Sequence, residues 1–318
     1  MKRFLHQGKI PFKQIVELAF RHTPPPSNAV TNTVNPKPAI INIHGILGSK
    51  RYFRSLNEPL ARALNTDVYT VDLRNHGDSP LALPFNYLTF TKDVIHFIKK
   101  HIGDKRPVKL MGFSLGGKVS LLTTLCPQVN AIKSISIDAP PYETQYVDPI
   151  IEQNFGLIKK IVNREIRIKK GSKGWKKQVL ELFRNLPANI GNKGDPALYF
   201  AGGFFEVKAN NSPPTADKKD PFLDHSLPLE EFPNLIPEIL TWPDLSDHGS
   251  LEGLFKLSTD SPALFLKGLQ SGSILEDYGL LKKHFPNAVV KEFDASHNIM
   301  IEKPKEFFDC VVEFLKDD

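Results

Sequence analysis

Val108-Lys-Leu-Met-Gly112-Phe-Ser114-Leu-Gly116-Gly117-Lys-Val-Ser-Leu-Leu-Thr-Thr-Leu-Cys126 joins an apolar run to a helical one through a serine set among glycines. Val108–Gly112 reads as a buried strand and Leu115–Cys126 as the helix after it. A serine on so sharp a strand-to-helix turn has a strained backbone, and glycines two residues to either side keep other side chains out of the bend. The helix turns its amide end toward the serine, which favours negative charge developing there. Alone, the motif is weak. The strand before it and the helix after it are what give it meaning.

The same alternation runs outward in both directions. Upstream lie an apolar run ending in glycine (Ala39–Gly45), a helical segment (Leu56–Leu64), a second strand (Asp67–Leu73) and a helix over Phe90–His101 with apolar spacing at Phe90, Val94, Phe97 and Ile98. Downstream come strand Ile132–Ile137, strand Pro262–Gly268, helix Glu276–Phe285, strand Ala288–Phe293 and helix Pro304–Lys316. Strands alternating with helices mean parallel βαβ units with right-handed crossovers. Between Pro140 and Thr259 the alternation is lost, as lysine-rich helical segments give way to a proline-dense stretch. These patterns predict an α/β fold with a mostly parallel, doubly wound sheet built from residues 38–140 and 260–318. A largely helical cap, 141–259, is inserted over the carboxyl ends of the strands, where such sheets place their sites.

The 318 residues are 41% hydrophobic and 24% charged, enough to bury a core and unlike a disordered or fibrous chain. Cys126 and Cys310 are too few for a disulfide framework and read as free thiols in a reducing compartment. No run approaches the roughly 18 apolar residues of a membrane-spanning helix. The net charge is +6, but residues 1–38 hold six bases against Glu17 alone, a net of +5. The excess is terminal, so it makes no case for nucleic acid. Phe12, Ile15, Val16 and Ala19 share one helical face in this basic, acid-poor start. It reads either as a mitochondrial presequence or as a surface helix docked on the domain, and residues 1–37 as a basic segment closing in a Pro-rich linker. The location follows as mitochondrial or, failing that, cytoplasmic.

A nucleophilic serine needs a base. His297, in Asp294-Ala-Ser-His297-Asn298, follows the last strand and precedes the final helix, where a loop can carry an imidazole back over Ser114. His44 and His76 lie in turns and read as structural, while His225 and His248 fall in the insertion; no metal-binding spacing is present. The acid has two candidates. Asp138 ends the strand after the nucleophile helix and could orient the far nitrogen of His297, and Asp277, beyond strand Pro262–Gly268, is the fallback. For the oxyanion, the amides of Leu115 and Ile46 are the expected donors, the latter in His44-Gly-Ile-Leu-Gly48-Ser, whose small residues let the chain bend beside a ligand.

Five strings occur in order: His44-Gly-Ile-Leu-Gly-Ser-Lys50, Val71-Asp-Leu-Arg-Asn-His-Gly-Asp-Ser-Pro80, Gly112-Phe-Ser-Leu-Gly-Gly-Lys118, Ile137-Asp-Ala-Pro140 and Asp294-Ala-Ser-His297. Together they resemble the α/β-hydrolase fold, in the branch of mitochondrial abhydrolase-domain proteins and fungal ethanol (alcohol) acetyltransferases. The resemblance covers residue 38 to the end, strongest outside the insertion. Phe113 and Leu115 depart from the branch's usual Gly-His-Ser-Met-Gly-Gly but flank the serine rather than replace it. In that branch the acid follows the strand after the nucleophile, which carries the role onto Asp138. The resemblance implies an alcohol O-acetyltransferase using acetyl-CoA as co-substrate and a short alcohol such as ethanol, with no permanently bound cofactor or metal and with esterase and thioesterase side activity. The alternatives are a plain carboxylesterase or thioesterase and, in another class, a non-catalytic binding protein on the same fold. Nine bases between Lys159 and Lys177 read as a solvated helix face, or as a rim for the phosphates of coenzyme A.

Overall fold

The computed structural model describes residues 10–26, 37–144, 149–169, 174–191, 195–207 and 220–316. Along the chain, β1 (Phe20–Thr23), β2 (Ala39–Ile43), α1 (Arg54–Leu64), β3 (Val68–Val71), α2 (Tyr87–His101), β4 (Val108–Phe113), α3 (Leu115–Leu125) and β5 (Ala131–Ile137) form the first block. Between β5 and the strand that next joins the sheet come α4 (Pro149–Val162), α5 (Gly174–Arg184), α6 (Pro196–Phe200), the antiparallel pair β6 (Phe204–Glu206) and β7 (Leu223–His225), and α7 (Phe232–Leu240), the segment expected to form the cap. The chain then returns as β8 (Ala263–Gly268), α8 (Gly279–Lys282), β9 (Ala288–Phe293), α9 (Ile299–Glu302) and α10 (Pro304–Leu315).

Among the described residues, seven strands pair in the order β1-β3-β2-β4-β5-β8-β9, all parallel except β1, which runs antiparallel to β3. β2 and β4 are buried at every position, because a parallel strand covered on both faces has no side on which to place a polar residue cheaply. The period-2 pleat sends Ile41 and Ile43 to one apolar cluster and Ile40 to the other, so helices pack on both faces. α3 is buried along its whole length, which fixes Ser114 at its first turn in the middle of the molecule. No helix among the described residues is long and apolar enough to cross a membrane.

Two sequence readings need correction. The helix expected over Phe12–Ala19 does not form: the segment is irregular, with Val16 and Leu18 buried while Phe12 and Ile15 are exposed. The physical reason is a set of strong backbone partners that a helix would forfeit. The buried Arg74 guanidinium donates to the carbonyls of Lys13 and Gln14, both at 3.0 Å, while gripping Asp93 at 2.6 and 2.7 Å. Asp93 also accepts the Val16 amide at 2.8 Å, and Asp72 N–H donates to Ala19 O at 2.7 Å. Residues 10–19 are thereby docked on the domain ahead of edge strand β1 (Phe20–Thr23); residues 1–9 and most of the Pro-rich linker (27–36) lie outside the described residues. The helix expected over Glu276–Phe285 is the single turn α8 (Gly279–Lys282), whose start is set at Gly279 by the Asp277 carboxylate accepting that amide at 2.9 Å.

The Arg74 cluster makes a prediction. A chain beginning at residue 38 leaves a buried charge without two of its acceptors and strips β3 of its neighbour. It is expected to lose about 3 kcal/mol or more in urea denaturation relative to a chain beginning at residue 10; equal midpoints would show that the segment is dispensable.

Candidate active site

Ser114 sits between β4 and α3 with φ 53° and ψ −118°, a left-handed backbone that a non-glycine residue adopts at a cost of about 1–3 kcal/mol. The flanking glycines explain how the turn closes. A methyl on Gly112 would overlap the Gly116 carbonyl, and one on Gly116 would run into the carbonyls of Ile43 and His44. The first turn of α3 therefore lies directly on the end of β2, where the His44-Gly-Ile-Leu-Gly loop begins. Ser114 N–H donates to Ile137 O at 3.0 Å, tying the turn to β5 as well.

Asp138 follows β5 with φ 52° and is buried. Its Oδ1 accepts the Gly268 amide at 2.9 Å, and its Oδ2 lies 2.6 Å from His297 Nδ1. Gly268 has no room for a side chain because the Ser296 carbonyl rests on it, so the end of β8 holds the carboxylate and seats the histidine loop together. That loop is fixed further by Ser296, whose hydroxyl and amide both donate to Glu302, and by Tyr52, whose hydroxyl donates to Asn298 Oδ1 at 2.7 Å. With Nδ1 given to a carboxylate, Nε2 is the ring nitrogen left for proton transfer. Asp277, the other acid weighed, is exposed and caps Gly279; it is Asp138 that meets the imidazole.

Two cavities meet at this point, and Ser114 and His297 line both. The larger, about 380 Å³, also takes in Leu115, Lys118, Tyr142 and Ser273. The smaller, about 210 Å³, is walled by Ile46, Phe113, Ile151, Tyr199 and Phe200 and is mostly apolar. Each expected oxyanion donor thus borders a cavity that Ser114 also borders, Leu115 on one side and Ile46 on the other. The Ile46 loop is held from the core by two buried histidines. His44 accepts the Leu73 amide at 3.1 Å and donates through Nδ1 to Gly45 O at 2.7 Å; burial lowers its pKa, in keeping with a neutral ring. His76 Nε2 accepts the Leu47 amide at 3.2 Å, which fixes a residue with φ 63°. Both serve the loop structurally, as their place in turns suggests. His225, in β7, is buried with its pKa pushed down to about 3 by desolvation, His248 is exposed, and neither lines either of these two cavities.

Three side chains escape sequence reasoning because only tertiary contact reveals them. Lys118, one turn beyond Ser114, is buried and donates to the Leu240 and Thr241 carbonyls at 3.1 and 2.9 Å; desolvation lowers its pKa to about 7. Tyr199 of α6 donates to Ile46 O at 2.7 Å. Glu302 reaches the histidine loop from α9. Of the basic run, Lys170 and Lys173 lie outside the described residues; its other members line neither cavity, and Lys160, Arg167, Lys169, Lys176 and Lys177 are exposed, as a solvated face requires.

An alpha/beta hydrolase fold family profile matches residues 38–304. A protein of Wickerhamomyces anomalus named "Probable alcohol acetyltransferase" is 31% identical over 318 aligned residues, covering 96% of this chain and 87% of that protein. "Ethanol acetyltransferase 1" of the same organism is 30% identical, covering 97% of this chain and 76% of its own. Among solved structures, a "Marine microorganism esterase" superposes with a TM-score of 0.70 at 23% identity over 94% of this chain and 100% of that one, a likeness of fold.

Proposed function

The chain belongs to the α/β-hydrolase fold family, and from that premise we propose that it is a serine-dependent alcohol O-acetyltransferase, converting acetyl-CoA and a short alcohol such as ethanol to the acetate ester. The observation that carries the reading is the 2.6 Å pairing of buried Asp138 with His297 beside the two cavities that Ser114 shares. His297 Nε2 takes the hydroxyl proton as Ser114 Oγ attacks the thioester carbonyl. The oxyanion is held by the amides of Ile46 and Leu115, and the positive end of α3 lies behind it. The C–S bond breaks, the thiolate of coenzyme A leaves with the proton from His297, and Ser114 keeps the acetyl group. An alcohol then gives its proton to His297 and attacks the acyl-enzyme, and the collapsing intermediate returns Ser114 as the free hydroxyl. Asp138 holds the imidazole in the tautomer that this traffic needs and stabilises the imidazolium between steps.

Hydrolysis to acetate is the second reading, and it has its own support. The His297 side chain is 25% exposed and Ser114 is only partly covered, so water has access to the same acyl-enzyme. The ratio of ethyl acetate to free acetate made from acetyl-CoA at millimolar ethanol separates the two. Ester in excess is expected, because an alcohol seated in an apolar wall such as that of the smaller cavity meets the acyl group preferentially. Acetate alone would make the protein a thioesterase and esterase.

A mitochondrial location belongs to the same proposal and rests on the basic, acid-poor start of the chain. Any leader removed on import must end before Lys13, whose carbonyl Arg74 holds.

A further inference from the structure

The reading of Ile46 as an oxyanion donor leaves one feature of its loop unexplained. The Gly45–Gly48 turn, closed by Gly48 N–H to Gly45 O at 3.1 Å, is steadied from the core by His44 and His76, yet its outer side meets the cap. There the Tyr199 hydroxyl donates to Ile46 O at 2.7 Å. Gly48 and Gly45 are cut to fit it: a Cβ on Gly48 would overlap the Tyr199 hydroxyl, and one on Gly45 would come within 3.1 Å of it. The ring itself is aimed by edge-on packing against Tyr52 at 5.2 Å, the residue that also holds Asn298 beside the histidine. Burial drives the phenol's pKa well above its usual value, so the group remains a proton donor throughout the working pH range.

We propose that Tyr199 is a positioning residue through which the cap completes the oxyanion hole: its hydroxyl fixes the Ile46–Leu47 peptide, and through the shared Ile46 Cα this limits rotation of the preceding Gly45–Ile46 peptide, whose N–H is the donor for the carbonyl attacked by Ser114. The consequence is a coupling between cap and chemistry. A cap displaced from this position takes the hydroxyl with it, so a site opened further to water than this one is also a site with one donor less firmly held. Transition-state stabilisation is then greatest when the acyl-enzyme is shielded, which favours transfer to an alcohol bound under the cap over attack by water.

The test is Tyr199→Phe in the full chain, assayed with acetyl-CoA and with a neutral acetate ester. The expected result is a fall in kcat of about 10–100-fold, somewhat less than the loss of a whole donor, with KM changed little. Affinity for a trifluoromethyl ketone, which forms an oxyanion adduct, should fall by a similar factor, and the ethyl acetate share of product should drop. A ring that merely packs would change none of these. Gly48→Ala, whose methyl would overlap the phenol and also press on the Gly45 carbonyl at 3.0 Å, should give the same split more severely. A folded Tyr199→Phe protein with kcat within about twofold of wild type, or with ketone affinity unchanged, overturns the proposal. If that happens while Ser114→Ala is inactive, only the role of Tyr199 falls; an active Ser114→Ala removes the reading beneath it.

Discussion

Ser114→Ala is expected to lower turnover of acetyl-CoA and of a simple acetate ester by a factor of about 10⁵ or more, leaving only what binding and the oxyanion donors give to direct attack by water. The loss should be chemical rather than structural. The Ser114 amide, not its hydroxyl, ties the turn to Ile137, and alanine pays the same left-handed backbone cost. Melting should therefore be almost unmoved. Fluorophosphonate labelling of the wild type, absent from Ser114→Ala, checks the same point without a substrate and distinguishes an enzyme from a binding protein on this fold. A variant that keeps even a hundredth of wild-type turnover would mean that another group is the nucleophile.

Asp138→Asn has the second-largest expected effect, a fall in kcat of about 10⁴-fold, the size that this change has in a serine triad. The amide is nearly the same shape, and its oxygen still accepts the Gly268 N–H that now meets Oδ1, so the fold is retained. What changes is the tautomer. With the carboxamide NH₂ turned toward His297, Nδ1 becomes an acceptor and the proton moves to Nε2, where it blocks general-base catalysis. Asp277→Asn is the control, since that carboxylate caps Gly279 at the surface and should leave kcat unchanged. Near-normal turnover in Asp138→Asn, with loss in Asp277→Asn, would move the acid to the other strand.

The two clearest features of the sequence come through because local chemistry dictates them. Gly112, Gly116 and Gly117 are needed wherever a strand turns into a helix hard against its neighbours, and the structure shows backbone carbonyls or side chains where their Cβ atoms would lie. A short, nearly continuous apolar run such as Ala39–Ile43, ending in glycine, suits a strand covered on both faces. The contact of Asp138 with His297 is half visible: a carboxylate at a strand end and a histidine after the last strand suggest a pair, but with 159 residues between them Asp277 stays as the fallback until the loop over Gly268 is seen. The start of the chain misleads for a definite reason. Phe12, Ile15, Val16 and Ala19 keep helical spacing, while the decisive forces are Arg74 and Asp93, more than 50 residues away, which take the backbone groups that a helix would use internally. Lys118, Tyr199 and Glu302 gave no signal at all, because each acts on a backbone group of another element and no sequence pattern records that.

On the proposed mechanism, Ser114 carries the acyl group between donor and acceptor. Rapid quenching of the wild-type protein with acetyl-CoA, followed by peptide mass spectrometry, tests it directly. One acetyl group is expected on the peptide containing Ser114, accumulating without alcohol and discharged as ethyl acetate when ethanol is added. Turnover with no acyl-enzyme, or acetyl found on a different residue that ethanol discharges, would contradict it.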